Sequence, residues 1–254
     1  MAESPREEIY HIEDHVFVKR YAAGGVVFLR DGRELSLEEW NRELNLVQPM
    51  RLLEEHSNPL VRLKEKHRRR AFTGMMRFPA GAVAADVGCE GGHLAEIVAP
   101  KCAKLYCIDI DAGILRQARE RLAGAANIEF LQSDVRKINL PDDALDVCVA
   151  AEVLEHLPRP EEGLAELVRV TKPGGRIYLS VPNEVLVQAL KRTAARAGMK
   201  KSLGRLSGGL AVGHVQVFSK KKLRRLCEGR VKLETLKYSA PFFLNVFAEG
   251  RPVK

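Results

Sequence analysis

The chain has 254 residues, 46% hydrophobic and 29% charged, with 41 Lys and Arg against 33 Asp and Glu for a net charge of +8. These values predict a soluble globular protein of one or two domains, and no apolar run reaches the ~18 residues that a membrane span needs. The acidic start (Glu3, Glu7, Glu8) is unlike a signal peptide, and five cysteines without a C-x-x-C pair are expected as reduced thiols in a cytoplasmic setting.

Residues 1–80 form an extension whose pattern differs from that of the remaining chain. Residues 15–21 and 25–30 alternate like strands, and Asp31-Gly32 is a hairpin turn into 33–37. Ser36-Leu37-Glu38-Glu39 is a capping box opening a helix that carries Trp40, Leu44 and Val47. A second helix bears Arg62, Lys64, Lys66, His67, Arg68, Arg69 and Arg70. It is either a solvated cationic face docked by its other side or an attractor for an anionic partner such as nucleic acid or a lipid surface.

From Ala82 the pattern becomes β-α-β. Strands are expected at 82–87, 104–109, 127–132, 144–150 and 175–181, with helices at 92–99, 111–123 and 161–171. A helix at 219–228 and two runs at 230–238 and 242–249 complete the chain, the short Ala240-Pro241 link forcing those runs antiparallel. This predicts an α/β fold, a doubly wound parallel sheet with a C-terminal antiparallel hairpin, and ligands gathered at the carboxyl ends of its strands.

The stretch from Ala82 to Leu94 runs a buried strand into Gly88-Cys89-Glu90-Gly91-Gly92-His93 and then a helix, a loop suited to a nucleotide-like ligand. Glu90 and His93 occupy two of the glycine positions of G-x-G-x-x-G, which removes the fingerprint of hydride transfer. Asp86, Asp109 and Asp134 each fall where a strand ends, and three such acids beside a glycine loop exceed what helix capping explains. Asp111 alone is expected to be a cap.

Together these segments resemble the class I S-adenosylmethionine (SAM)-dependent methyltransferases, whose first motif is commonly D-x-G-C-G-x-G; Glu90 departs from it. The resemblance covers roughly residues 82–250. It implies a seven-stranded Rossmann-like core in which Gly88, Gly92, Asp109 and Asp134 hold the cofactor. Asp86 would meet its methionine end, and Cys89, Ile110, Val135 and Ala151 would line the same pocket. The phrase Glu152-Val153-Leu154-Glu155-His156, and Gly213-His214 before Phe218, are similar to the type 11 branch and its ubiquinone-biosynthesis O-methyltransferases. The small-RNA 2′-O-methyltransferases use a related set to hold a metal.

If 152–156 is helical, Glu152 lies one turn from Glu155 and His156. With His214 this set can hold Mg²⁺, Mn²⁺ or Zn²⁺, or Glu152 and His156 merely cap and line a turn. Without a metal, His156 or His214 is a general base. Residues 183–213 mix apolar and basic side chains with Gly198, Gly204, Gly208, Gly209 and Gly213. They are expected to form an acceptor-side lid, mobile and solvated or touching the inner face of a membrane through 184–206.

The expected activity is methyl transfer from SAM to a small or amphiphilic, lipid-like acceptor, at oxygen. The alternatives are an RNA methyltransferase, whose RNA binding would weaken steeply with salt, and a non-catalytic SAM- or nucleotide-binding module.

Overall fold

The computed structural model describes residues 6–12, 14–22, 25–47, 59–186, 189, 193, 214–241 and 243–254. Most of the expected lid at 183–213 lies outside them.

The chain opens with an antiparallel meander of four strands, β1 (Arg6–Ile12), β2 (His15–Ala22), β3 (Gly25–Arg30) and β4 (Arg33–Leu35). Asp31 and Gly32 both take positive φ (50° and 82°), as a two-residue hairpin requires. Helix α1 (Leu37–Val47) starts on the expected capping box: the Ser36 hydroxyl accepts the Glu39 N–H at 3.1 Å, and the Glu39 carboxylate accepts the Ser36 N–H at 2.8 Å. Trp40 is wholly buried between Phe17 and Phe28, with ring centroids at 5.4 and 5.0 Å. Burying a ring of that size stabilises the unit by roughly 3 kcal/mol. The same cluster contains Val215, from the far end of the sequence.

Helix α2 (Pro59–Thr73) carries the basic run, with Arg62, Lys66, His67 and Arg70 exposed. Its C-terminal end docks on the main core: Phe72, Met75 and Met76 pack with Leu105 and Tyr178, and Phe72 lies 5.0 Å from the Phe247 ring. The helix is therefore amphipathic, with a cationic outer side.

Seven strands form the main sheet: β5 (Val83–Val87), β6 (Lys104–Asp109), β7 (Ile128–Gln132), β8 (Leu145–Ala151), β9 (Thr171–Pro182), β10 (Val231–Tyr238) and β11 (Asn245–Pro252). Their order is β10-β11-β9-β8-β5-β6-β7, parallel from β7 to β9, with β11 antiparallel to both β9 and β10. Helices α3 (Ala95–Val98), α4 (Ala112–Arg121), α5 (Pro160–Val170) and α6 (Lys220–Cys227) flank the sheet. Two apolar clusters, one with α5 and α6 and one with α2, α3 and α4, account for both faces. The expected doubly wound architecture with a terminal hairpin is the one found.

Three element starts move by three residues or more. The glycine turn continues to Leu94 because Gly92 sits at φ 82°, so α3 is one turn long. Strand β9 pairs from Thr171, and Lys172 to Gly175 form an irregularity in its register against β8. The hairpin link spans 239–244, with the Ser239 N–H donating to Asn245 O and the Phe243 N–H to Ser239 O, which delays β11 by three residues. All five cysteines are free thiols. Among the described residues no helix is long and apolar enough to cross a membrane.

Candidate active site

The parallel strands deliver the expected acids to one rim of the sheet. Asp86, near the end of β5, is 1% exposed; it accepts the Ala95 N–H while its Oδ2 has no partner. Burial, then the nearby Glu90 and Asp109 charges, push it up to about 7. Asp109 closes β6, and its two oxygens accept the N–H groups of Asp111 (3.0 Å) and Glu90 (3.2 Å). Burial raises it to about 6 against the pull of those donors. Asp111 caps α4, accepting from Gly113 and Ile114.

These shifts carry a signed consequence. Over the pH range between the ordinary aspartate value and about 7, folded Asp86 holds a proton that the unfolded chain has lost, so its contribution to stability falls as pH rises. Asp86→Asn keeps an acceptor for the Ala95 N–H without the charge. It is expected to gain on the parent by up to ~3 kcal/mol between pH 5 and 8. Melting temperatures of the two proteins across that range test this, and a pH-independent difference would refute it.

The glycines serve the fold first. Gly88 has φ 71°, and a Cβ there would reach 2.5 Å from Val153; Gly92 has φ 82°, and a Cβ there would reach 2.8 Å from Leu122. Their task is the turn and its packing, and the loop surface follows from that. Glu90 holds φ 48°, a left-handed backbone unusual for a side chain of its size. Cys89 is buried with its N–H donating to Ile108 O at 3.0 Å, Ile110 lies just past β6, and Ala151 ends β8.

Asp134, expected to accept from an adenine amino group, is paired with Arg136. It lies two residues beyond β7, and the Arg136 Nε spans both its oxygens at 3.0 Å. Burial alone would raise it, but the Arg136 side chain and N–H outweigh burial and hold it below the ordinary range. The adjacent Val135 packs against the core. Sequence reasoning missed Arg68 on α2, which bonds Glu65 at 2.8 Å and stands 4.0 Å from Glu152. Only the Glu65–Arg68 spacing marks it among the seven basic residues of that run.

At the end of β8 the expected set of four is corrected to three. Glu152 is not helical: at φ 58° it prolongs the sheet, its N–H donating to Ser180 O at 2.9 Å. Its carboxylate accepts from the Ser180 hydroxyl and from Asn245 Nδ2 at 3.0 and 3.1 Å. The 3-10 turn Leu154–His156 presents Glu155 and His156 instead. With His214, their ligand atoms lie within 4.8 Å of one another.

Glu155 is 0% exposed and neither of its oxygens has a hydrogen-bond partner; burial first, then the charge of Glu152, hold its carboxyl well above the usual range. The His214 ring stands 5.1 Å from that of His156, with Nε2 4.0 Å from Glu155 and Nδ1 paired with Glu184. Glu184 was not foreseen as a site residue; it lies two residues beyond β9 and no motif signals it.

Residues 85–179 match a family described as a methyltransferase domain, of type 11. A demethylmenaquinone methyltransferase of Clavibacter sepedonicus is 34% identical over 100 residues, 39% of this chain and 41% of that protein. A ubiquinone biosynthesis O-methyltransferase of Pseudomonas fluorescens is 34% identical over 107 residues, 41% and 46% of the two chains. The chain thus spans less than half the length of these two relatives. In structure, the N-methyltransferase NodS of Bradyrhizobium japonicum, solved with S-adenosyl-L-homocysteine, aligns with a TM-score of 0.60 at 18% identity, covering 86% of this chain and 98% of that one. That likeness is one of fold.

Proposed function

We propose that this chain, whose core is that of a class I SAM-dependent methyltransferase of the type 11 branch, transfers a methyl group from SAM to the oxygen of a small or amphiphilic acceptor. One observation carries the reading. The buried Asp86, the half-buried Asp109 and the cluster Glu155–His156–His214 stand at carboxyl ends of neighbouring parallel strands.

The acids fit the cofactor. Asp86 Oδ2 is a buried acceptor without a partner, suited to the ammonium of the methionine end, and Asp109 keeps lone pairs for two ribose hydroxyls. SAM supplies a methyl already activated on a sulfonium, so positioning and proton removal are the protein's tasks. The Glu184 carboxylate accepts the Nδ1–H of His214, which leaves Nε2 carrying the lone pair. His214 Nε2 would take the proton of the acceptor hydroxyl as that oxygen receives the methyl group that bound SAM would supply.

In the alternative with a metal, Glu155, His156 and His214 would hold a divalent cation (Mg²⁺, Mn²⁺ or Zn²⁺) that takes the Nε2 lone pair in place of the proton, and a buried carboxylate without donors would gain a partner there. Such an ion would lower the pKa of an acceptor hydroxyl. EDTA treatment is then expected to cut transfer more than about tenfold, and added metal to restore it; a rate indifferent to EDTA leaves His214 as base alone. The acceptor class is tested by incubating the protein with methyl-labelled SAM and fractionated cell extract. Label in lipid or small-molecule fractions supports the proposal. Label in RNA would replace it with an RNA acceptor, and no label in any fraction would leave a binding module.

A further inference from the structure

The N-terminal meander touches the acceptor side of the site through one buried cation. Lys19 lies on β2 at the same face as Phe17, two residues apart, so strand alternation turns it inward with the aromatic core. Its side chain is 0% exposed. An ammonium is costly to bury unless it is paired and hydrogen-bonded. Here its Nζ donates to the backbone carbonyl of His214, stands 3.9 Å from Glu8, and lies 5.2 Å from the centroid of the Tyr10 ring.

The strip it holds is gripped from the other side as well. The N–H groups of Val215 and Gln216 both donate to Glu155 O, at 2.9 and 3.0 Å, and Val215 is buried in the meander's own core. Residue 214 is therefore clamped between the turn that carries Glu155 and a strand almost 200 positions earlier, while its ring faces Glu155, His156 and Glu184.

We propose that Lys19 is a positioning residue: by holding the carbonyl of His214 it fixes where that imidazole stands between Glu155 and Glu184, and the N-terminal meander is thereby a wall of the acceptor site. This rests on reading His214 as an acceptor-side residue, but its test does not depend on knowing the acceptor.

The full chain is treated with diethyl pyrocarbonate, and modification of each histidine is followed by mass spectrometry, with exposed His67 on α2 as the internal standard. In Lys19→Met, His214 is expected to react about tenfold faster, the loss of one hydrogen bond to a charged donor, while His67 keeps its rate. Lys19→Arg, which retains charge and donor, is expected to return His214 towards the parent rate. An unchanged His214 rate in Lys19→Met, or a raised rate that Lys19→Arg leaves equally high, overturns the proposal. Calorimetry with SAM on the same samples keeps the two readings apart: absent SAM binding by the parent chain refutes the methyltransferase reading and leaves the Lys19 result standing. Should Lys19→Met fail to fold, native-state hydrogen exchange of the parent decides. The amides of Val215 and Gln216 must then open together with those of β2, and exchange well ahead of β2 overturns it.

Discussion

Replacing Asp109 with alanine is expected to weaken SAM binding by ~100- to 1,000-fold, as hydrogen bonds from two ribose hydroxyls to a carboxylate are lost. The effect is large because Asp109 acts twice. It also accepts the N–H groups of Glu90 and Asp111, so its removal loosens the glycine loop and the start of α4 together. Isothermal calorimetry measures the affinity, and a melting curve confirms that the variant is folded. An affinity within threefold of the parent's would move the ribose away from β6 and remove the reading of this rim as the cofactor site.

The second large effect falls on turnover. His214→Ala is expected to lower methyl transfer by ~10²- to 10⁴-fold while SAM affinity stays within about threefold, because the ring stands with Glu155, His156 and Glu184, where the acceptor is proposed to bind, and not among Asp86 and Asp109. Glu184→Gln separates orientation from chemistry. It weakens the partner of Nδ1 without removing the imidazole, and is expected to cost about tenfold in kcat and little in SAM binding. Full turnover by His214→Ala would reduce that residue to packing.

The main sheet was legible because its signals are local. Val83–Val87 and Leu145–Ala151 are apolar, small and β-branched runs ending beside acids, and the Ser36–Glu39 and Asp31-Gly32 signatures lie within four residues of sequence. Strand β1 was missed because Arg6, Glu7 and Glu8 open it. Its pairing with β2 is carried by cross-strand partners such as Arg20 with Glu7 at 2.6 Å, which no single segment reveals.

In the site, Asp86 and Asp109 could be placed from strand ends, whereas Glu152 could not. Its left-handed backbone and its bonds to Ser180 and Asn245 belong to the sheet's tertiary pairing, and periodicity treats a Glu-x-x-Glu-His phrase as helix. Lys19 was hidden for the opposite reason: a lysine in an alternating strand reads as solvent-facing, and only the distant carbonyl of His214 explains its inward turn.

Val215 sits inside the hydrophobic cluster built by Phe17, Phe28 and Trp40. The N-terminal meander and the strip at Val215 therefore pack as one unit, although nearly 200 positions separate them in sequence. A meander transplanted onto a sister core would leave Lys19 without its carbonyl partner and the aromatic cluster without Val215 unless that strip travelled too.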